Sequence, residues 1–317
     1  MKKILVTGAA GQIGSELTMA LREKYGHNNV VAGINRTQPN PELKESGPVE
    51  TVNCTDAAAV AGIVGKYKID SIVHLAAILS AVAEAKPALA WDVNINGLYN
   101  VLEVARERKC AVFVPSSIGA FGPTTPLDDT PQDTIQRPST MYGVTKVSGE
   151  LLCDYYFKRF GVDTRGVRYP GIISNVTLPG GGTTDYAVEI YYEAIKKKKY
   201  TCYINKGTFL DMMYMPDAIN ACIDLMEADP SKLKHRNAFN VTAMSFDPEI
   251  IAAAIRKHIP EFVMDYNVDP VRQGIAETWP NNMDDSCARA EWNWKPTFDL
   301  PAMTKDMVQV LTKKLSK

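Results

Sequence analysis

A surplus of charge is missing from this chain: 35 basic side chains stand against 36 acidic ones among 317 residues, for a net charge of −1. That balance removes the electrostatic ground for a nucleic-acid or anionic-membrane partner. No stretch approaches the roughly 18 consecutive apolar residues that a membrane span requires. Histidine is scarce, and His27, His74, His235 and His258 show no ligand spacing in sequence. The six cysteines include no CxxC pair. Neither zinc nor any other metal is expected on these grounds. The cysteines lie mostly in apolar runs and read as reduced core thiols. Repeats and low-complexity tracts are also missing. An apolar run that starts at residue 3 leaves no room for a signal or transit peptide. The expected location is cytoplasmic, or mitochondrial if a transit peptide has been removed.

What is present is an ordinary globular composition, 45% hydrophobic and 22% charged. Short apolar runs near 3–7, 29–34, 49–52, 71–75 and 112–114 alternate with helical stretches near 12–22, 56–66, 92–108 and 142–160. Such alternation predicts an α/β fold with a doubly wound parallel sheet. Beyond Arg168-Tyr-Pro-Gly171 the pattern loosens. Pro179-Gly-Gly-Gly182 opens a loop, a helix is expected near 185–197, and Met213 to Asp217 leads into another. The prediction is a Rossmann domain over 1–172, to which 208–242 returns. A smaller mixed substrate lobe takes 173–207 and 243–317.

Two motifs carry chemistry. After the first strand comes Thr7-Gly8-Ala-Ala-Gly11-Gln12-Ile13-Gly14. Gly8 permits a tight turn, Gly11 lets backbone N–H groups approach a pyrophosphate, and Gly14 lets the next helix pack closely on the strand. The N-terminal end of that helix attracts anions. The second motif is Tyr142-Gly-Val-Thr-Lys146. Positions i and i+4 share a helix face, and an ammonium beside a phenol favours phenolate. Proton removal from an alcohol during hydride transfer needs such a base. Tyr192-Glu-Ala-Ile-Lys196 has the same spacing but leads into Lys196–Lys199, a solvated helix end. Tyr142 instead lies 25 residues after Ser116-Ser117, the polar pair closing the run Cys110–Val114.

With His74-Leu-Ala-Ala77 and Asn94-Ile-Asn-Gly97 added, the chain resembles the extended short-chain dehydrogenases/reductases over its full length. Within them it closely resembles the short-chain L-threonine 3-dehydrogenases. Val114–Gly122, Leu178–Ala187, Met212–Asp217 and Phe239–Phe246 carry that likeness. The resemblance implies NAD-dependent oxidation of the L-threonine β-hydroxyl to 2-amino-3-ketobutyrate, in threonine breakdown toward glycine. Tyr142 would be the general base, Lys146 would hold the nicotinamide ribose, and Ser117 would bond the reacting oxygen. The implied NAD contacts are Gly8, Gly11, Gln12, Ile13, Gly14, Leu75, Ala76, Ala77, Asn94, Tyr142, Lys146 and Tyr169. Asn53 and Cys54 sit where family members hold adenine. Ser80, Ser116, Ser117, Tyr142, Thr184 and Asp185 would contact substrate, with Trp279 either closing the pocket or packing in the core. Gly180 to Gly182 would offer N–H groups to the substrate carboxylate. Asp185 would take its ammonium, or cap the following helix, or both. Resemblance also implies a homodimer formed by helices 92–108 and 142–160, with Val101, Leu102, Val104, Ala105, Leu151, Leu152, Tyr155 and Tyr156 as its apolar surface.

The alternative is a nucleotide-sugar epimerase or dehydratase of the same fold. Relatives of that kind carry an arginine for the diphosphate at the position of Leu210, and leucine cannot neutralise a diphosphate. A catalytically silent cofactor sensor has no physical need for Ser117, Tyr142 and Lys146 together. One departure bears on cofactor choice. NAD enzymes of this fold usually place a carboxylate about 20 residues beyond the glycines to hold the ribose 2′-hydroxyl. Here Asn35 and Arg36 stand there instead, and Arg36 could pair with a 2′-phosphate. We expect NAD to be preferred over NADP and Asn35→Asp to sharpen the preference by repelling a 2′-phosphate. The ratio of kcat/KM values for the two cofactors measures it, and a wild type favouring NADP would overturn the expectation.

Overall fold

In the computed structural model, which describes residues 1–178 and 180–316, six parallel strands build the central sheet. They are β1 (Ile4–Thr7), β2 (Val30–Ile34), β3 (Val49–Thr51), β4 (Ser71–His74), β5 (Ala111–Phe113) and β7 (Thr164–Arg165), in the order β3-β2-β1-β4-β5-β7. The order reverses direction beside β1, between β1 and β4, and such a switch point opens a crevice at the carboxyl ends of the strands. β1, β2 and β4 are buried along their whole length, as a sheet with helices on both faces requires. The expected doubly wound sheet is therefore present.

Past β5 the chain leaves this sheet, returning to it only for β7. β6 (Ser116–Ser117), β8 (Val167–Tyr169) and β12 (Phe239–Asn240) form a second parallel ribbon, ordered β12-β8-β6. β9 (Gly171–Ile173), β11 (Leu210–Tyr214) and β13 (Met244–Phe246) form a third sheet, in which β11 pairs parallel with β9 and antiparallel with β13. β10 (Lys199–Cys202) and β14 (Val263–Tyr266) make a parallel pair. The smaller part is thus mixed, as expected. The short ribbon β12-β8-β6 was not expected, because two- and three-residue strands leave no readable period.

The helices fall close to their sequence positions, at Gln12–Tyr25, Ala57–Tyr67, Met141–Phe160, Tyr186–Lys197 and Met215–Glu227. The one expected over 92–108 has a wide π turn at Asp92–Asn96 before the regular helix Gly97–Arg108. Five cysteines are buried, Cys287 is half-buried, and all six are free. Pro179, part of the glycine-loop motif, lies outside the described residues. The apolar surface expected of a dimer needs correcting. Val101, Leu102, Val104, Ala105 and Tyr156 are buried in the chain's own core beneath the central sheet. Tyr99, Val144, Leu151, Tyr155 and Phe160 are the exposed large apolar residues of the two helices, at 49%, 40%, 62%, 53% and 40%. The helical stripe was wide because it serves a sheet face and a second helix together.

A buried ion pair joins helix Met141–Phe160 to β8. Arg168 donates from Nε to Glu150 Oε1 at 3.0 Å and from Nη2 to Oε2 at 2.8 Å. The same guanidinium donates to the Gln132 carbonyl and to Asn240 Oδ1. Removing one partner of such a pair strands the other charge in the interior. Arg168→Met should therefore cost about 3–5 kcal/mol of unfolding free energy in urea titrations, and adding Glu150→Gln should recover part of it. A loss below about 1 kcal/mol, the value of an exposed pair, would contradict this.

Candidate active site

The first half of the site is the turn after β1. Gly8 has φ +72°, and a Cβ there would lie 2.8 Å from the Ala76 nitrogen. At Gly14 a Cβ would lie 2.2 Å from the Gly8 carbonyl oxygen. Close packing of turn, helix and the Leu75–Ala77 segment thus requires both glycines, as expected from their spacing. Helix Gln12–Tyr25 begins at Gly11 with no side-chain cap and no acid in its first turn. Its N–H groups are left for an anion, which a pyrophosphate fits.

The second half is built on helix Met141–Phe160. Thr140 caps it by accepting from the Gly143 N–H at 3.0 Å, so Tyr142 falls in the first turn and Lys146 in the next. Lys146 Nζ donates to the Pro115 carbonyl at 2.8 Å and lies 5.4 Å from the centre of the Tyr142 ring. Gly119, unnoticed in the sequence, fixes the remaining geometry. A Cβ on it would come within 3.0 Å of the Tyr142 ring and 3.5 Å of Ser117 Oγ. The absence of a side chain brings the Ser117 loop against the tyrosine. Behind Lys146, His74 is buried and accepts from or donates to Thr7 Oγ1 at 2.8 Å. Burial, then the Lys146 ammonium, lowers its pKa to about 4. His74 is thus neutral at neutral pH, and Lys146 supplies the positive charge.

One pocket of about 240 Å³ brings these groups together. It is lined by Gly8, Gly11, Gln12, Ile13, Gly14, Leu75, Ala77, Tyr169 and Lys146 on the side of the turn. Ser80, Ser116, Ser117, Tyr142, Thr184, Asp185 and Trp279 line the other side. Asn35, Arg36 and Asn53 are exposed outside it, beyond β2 and β3, and Cys54 is buried there with its thiol pushed up to about 11 by burial. Ala76 and Asn94 line a separate cavity of about 30 Å³ behind Lys146. Asn94 bonds both the N–H and the carbonyl of Ile78 and donates to Thr145 Oγ1. Its amide is used inside the protein, where it shapes the segment after β4. Tyr169 likewise gives its hydroxyl proton to the Ala218 carbonyl.

Three expectations change at the substrate end. Two of the three glycine-loop N–H groups are not free, because Asp185 Oδ2 accepts from Gly181 at 2.9 Å and from Gly182 at 2.6 Å. Asp185 makes no side-chain cap to helix Tyr186–Lys197; its carboxylate turns back to the glycines. Ser116 donates its proton to Glu150, so it can offer a ligand only a lone pair. Burial raises the Asp185 pKa to about 6 despite the two N–H groups, and no described residue forms a salt bridge with it. Thr183, which the sequence reading passed over, is buried in the same wall with an unpartnered hydroxyl. Trp279 is both core and pocket wall, with an unpartnered indole N–H. The second Tyr-Lys pair, Tyr192 and Lys196, lines a different groove with Tyr200 and Lys314.

Residues 4–242 match the model of the NAD dependent epimerase/dehydratase family. An uncharacterised epimerase/dehydratase of Staphylococcus saprophyticus is 56% identical over 98% of this chain and 97% of its own length. The X-ray structure of L-threonine dehydrogenase from Clostridium difficile superposes with a TM-score of 0.97 at 61% identity, covering 99% of this chain and 98% of that one. A monomeric L-threonine 3-dehydrogenase from a metagenome does so with 0.94 at 46% identity, covering 98% and 99%.

Tyr142 is the base expected from the sequence. Phe preserves the ring packing against Gly119, and general-base catalysis contributes a factor of about 10² to 10⁴. Tyr142→Phe should lose turnover by that factor with NAD affinity unchanged, while Tyr192→Phe remains near wild type. Full turnover in Tyr142→Phe at neutral pH would remove Tyr142 from the mechanism.

Proposed function

The chain belongs to the NAD-dependent epimerase/dehydratase family, and on that premise we propose that it oxidises L-threonine at its β-carbon to 2-amino-3-ketobutyrate. NAD is the cofactor, and when bound it accepts the hydride. The groups that would hold it are the glycine turn, the free N–H groups of helix Gln12–Tyr25, and Lys146 at the ribose. Ser117 and Tyr142 would grip the β-hydroxyl, and Tyr142 Oη would take its proton while Lys146 steadies the phenolate.

The observation that carries the substrate is Asp185. A half-buried carboxylate that forms no salt bridge with any described residue, in the same pocket as Ser117 and Tyr142, suits a ligand whose ammonium and secondary hydroxyl lie a few ångströms apart. A nucleotide diphosphate would be repelled by that carboxylate, and fully buried Leu210 offers it no charge. With the Gly181 and Gly182 N–H groups taken, the pocket-lining hydroxyls of Ser80 and Thr184 would serve the substrate carboxylate. The solved L-threonine dehydrogenases with high identity support the same reading.

We extend the proposal to a cytoplasmic protein that serves threonine breakdown. Segments 1–172 and 208–242 would form the cofactor part, supported by the pairing of β12 with β8 and the packing of helix Met215–Glu227 on Gln12–Tyr25. Segments 173–207 and 243–317 would form the substrate part. The exposed residues Tyr99, Leu151, Tyr155 and Phe160 would meet their equivalents in a homodimer. Light scattering at micromolar concentration should return twice the chain mass, and a monomeric mass would remove the dimer.

The ammonium binds the ionised form of Asp185, which forms above about pH 6. The KM for L-threonine should therefore fall as pH rises through that value, and Asp185→Asn should raise KM and flatten the profile. An unchanged KM in Asp185→Asn would refute the contact. L-Serine, lacking a methyl worth about 1–3 kcal/mol, should react slowly. If L-threonine reduces no NAD while a nucleotide sugar is converted, the substrate assignment falls.

A further inference from the structure

Away from the pocket, His235, Cys287 and Glu291 bring an imidazole nitrogen, a thiol and a carboxylate oxygen within 4.8 Å of one another. We propose that these three residues bind a thiophilic divalent ion, of which Zn²⁺ is the type. Nitrogen, sulfur and oxygen donors in one cluster are the ligand set that such an ion takes, in tetrahedral geometry with one open position.

The cluster was invisible in the sequence because its ligands come from two segments 52 residues apart. Cys287 and Glu291 sit four residues apart on one face of helix Ser286–Trp292. His235 arrives on the loop that leads into β12. Glu291 is held in place from behind, since its Oε2 accepts from the backbone N–H groups of Lys234 and His235 at 2.5 and 3.1 Å. Its Oε1 is bonded to His235 Nδ1. A proton shared between imidazole and carboxylate is the species that a metal ion displaces. The other imidazole nitrogen, Nε2, faces Asp133 Oδ2 at 3.5 Å, and a carboxylate behind a ligating imidazole fixes the ring and raises its basicity. Cys287 is half-buried whereas the other five cysteines are buried, so an ion can reach it.

The ion would tie helix Ser286–Trp292 to the β12 loop, and neither segment contributes a residue to the active-site pocket. The test uses the full chain, stripped with chelator and desalted, then titrated with Co²⁺ as a spectroscopic stand-in. Wild type should develop a thiolate-to-metal charge-transfer band that saturates at one equivalent, and Zn²⁺ should displace it. Cys287→Ser should abolish the band, and His235→Gln should weaken Co²⁺ binding by at least about tenfold. Both variants should retain the wild-type circular dichroism and NAD-reducing activity, since the cluster lies outside the pocket. No band in wild type, or an undiminished band in Cys287→Ser, would overturn the proposal. Should Cys287→Ser fail to fold, unaltered Co²⁺ affinity in His235→Gln would do the same.

Discussion

The contact on which the active site depends is the buried pair of Glu150 and Arg168. Tyr142, Lys146 and Glu150 follow one another at intervals of four along one helix, so fixing Glu150 fixes the face that carries the other two. Arg168 grips both oxygens of Glu150 from β8, and Ser116 on β6 donates to the same carboxylate. Helix and ribbon are therefore locked at the place where Ser117 must meet Tyr142. A hydrophobic contact could supply similar packing, but it would allow the helix to slide along its axis. The forked geometry of a guanidinium on a carboxylate does not.

Much of this was legible in the chain itself. The glycine turn could be read because each glycine answers a different steric demand, and Gly8 and Gly14 meet the backbone as their spacing implied. Tyr142 and Lys146 could be read because helical periodicity alone puts them on one face. That Asp185 lines the pocket could be expected from its residue type and place on the loop, but its orientation could not. Nothing local signals that a carboxylate will bend back to its own glycines. Thr183 and Gly119 were missed for a related reason: each matters through residues that the fold, not the local sequence, brings beside it. The apolar stripe on helices Gly97–Arg108 and Met141–Phe160 misled because burial within a chain and burial between chains produce the same pattern.

The pocket's electrostatics follow from how few charges it holds. His74 is neutral by burial and Asp185 is only weakly acidic, so Lys146 is the one firmly charged group named in its walls. A ligand in the pocket meets a field arranged by the Lys146 ammonium and the Asp185 carboxylate. That polarity selects an orientation before any close contact forms.

The Asp185–glycine arrangement also has an evolutionary side. The carboxylate is held only by N–H groups of residues three and four positions earlier, within a short loop between β9 and helix Tyr186–Lys197. Among the described residues its hydrogen bonds run to Gly181 and Gly182, not to the glycine turn after β1 or to the helix that carries Tyr142. The loop is thus a cassette: a descendant could change it while inheriting the glycine turn and the Tyr142 helix intact. A family that performs many reactions on one scaffold is the outcome such modularity permits.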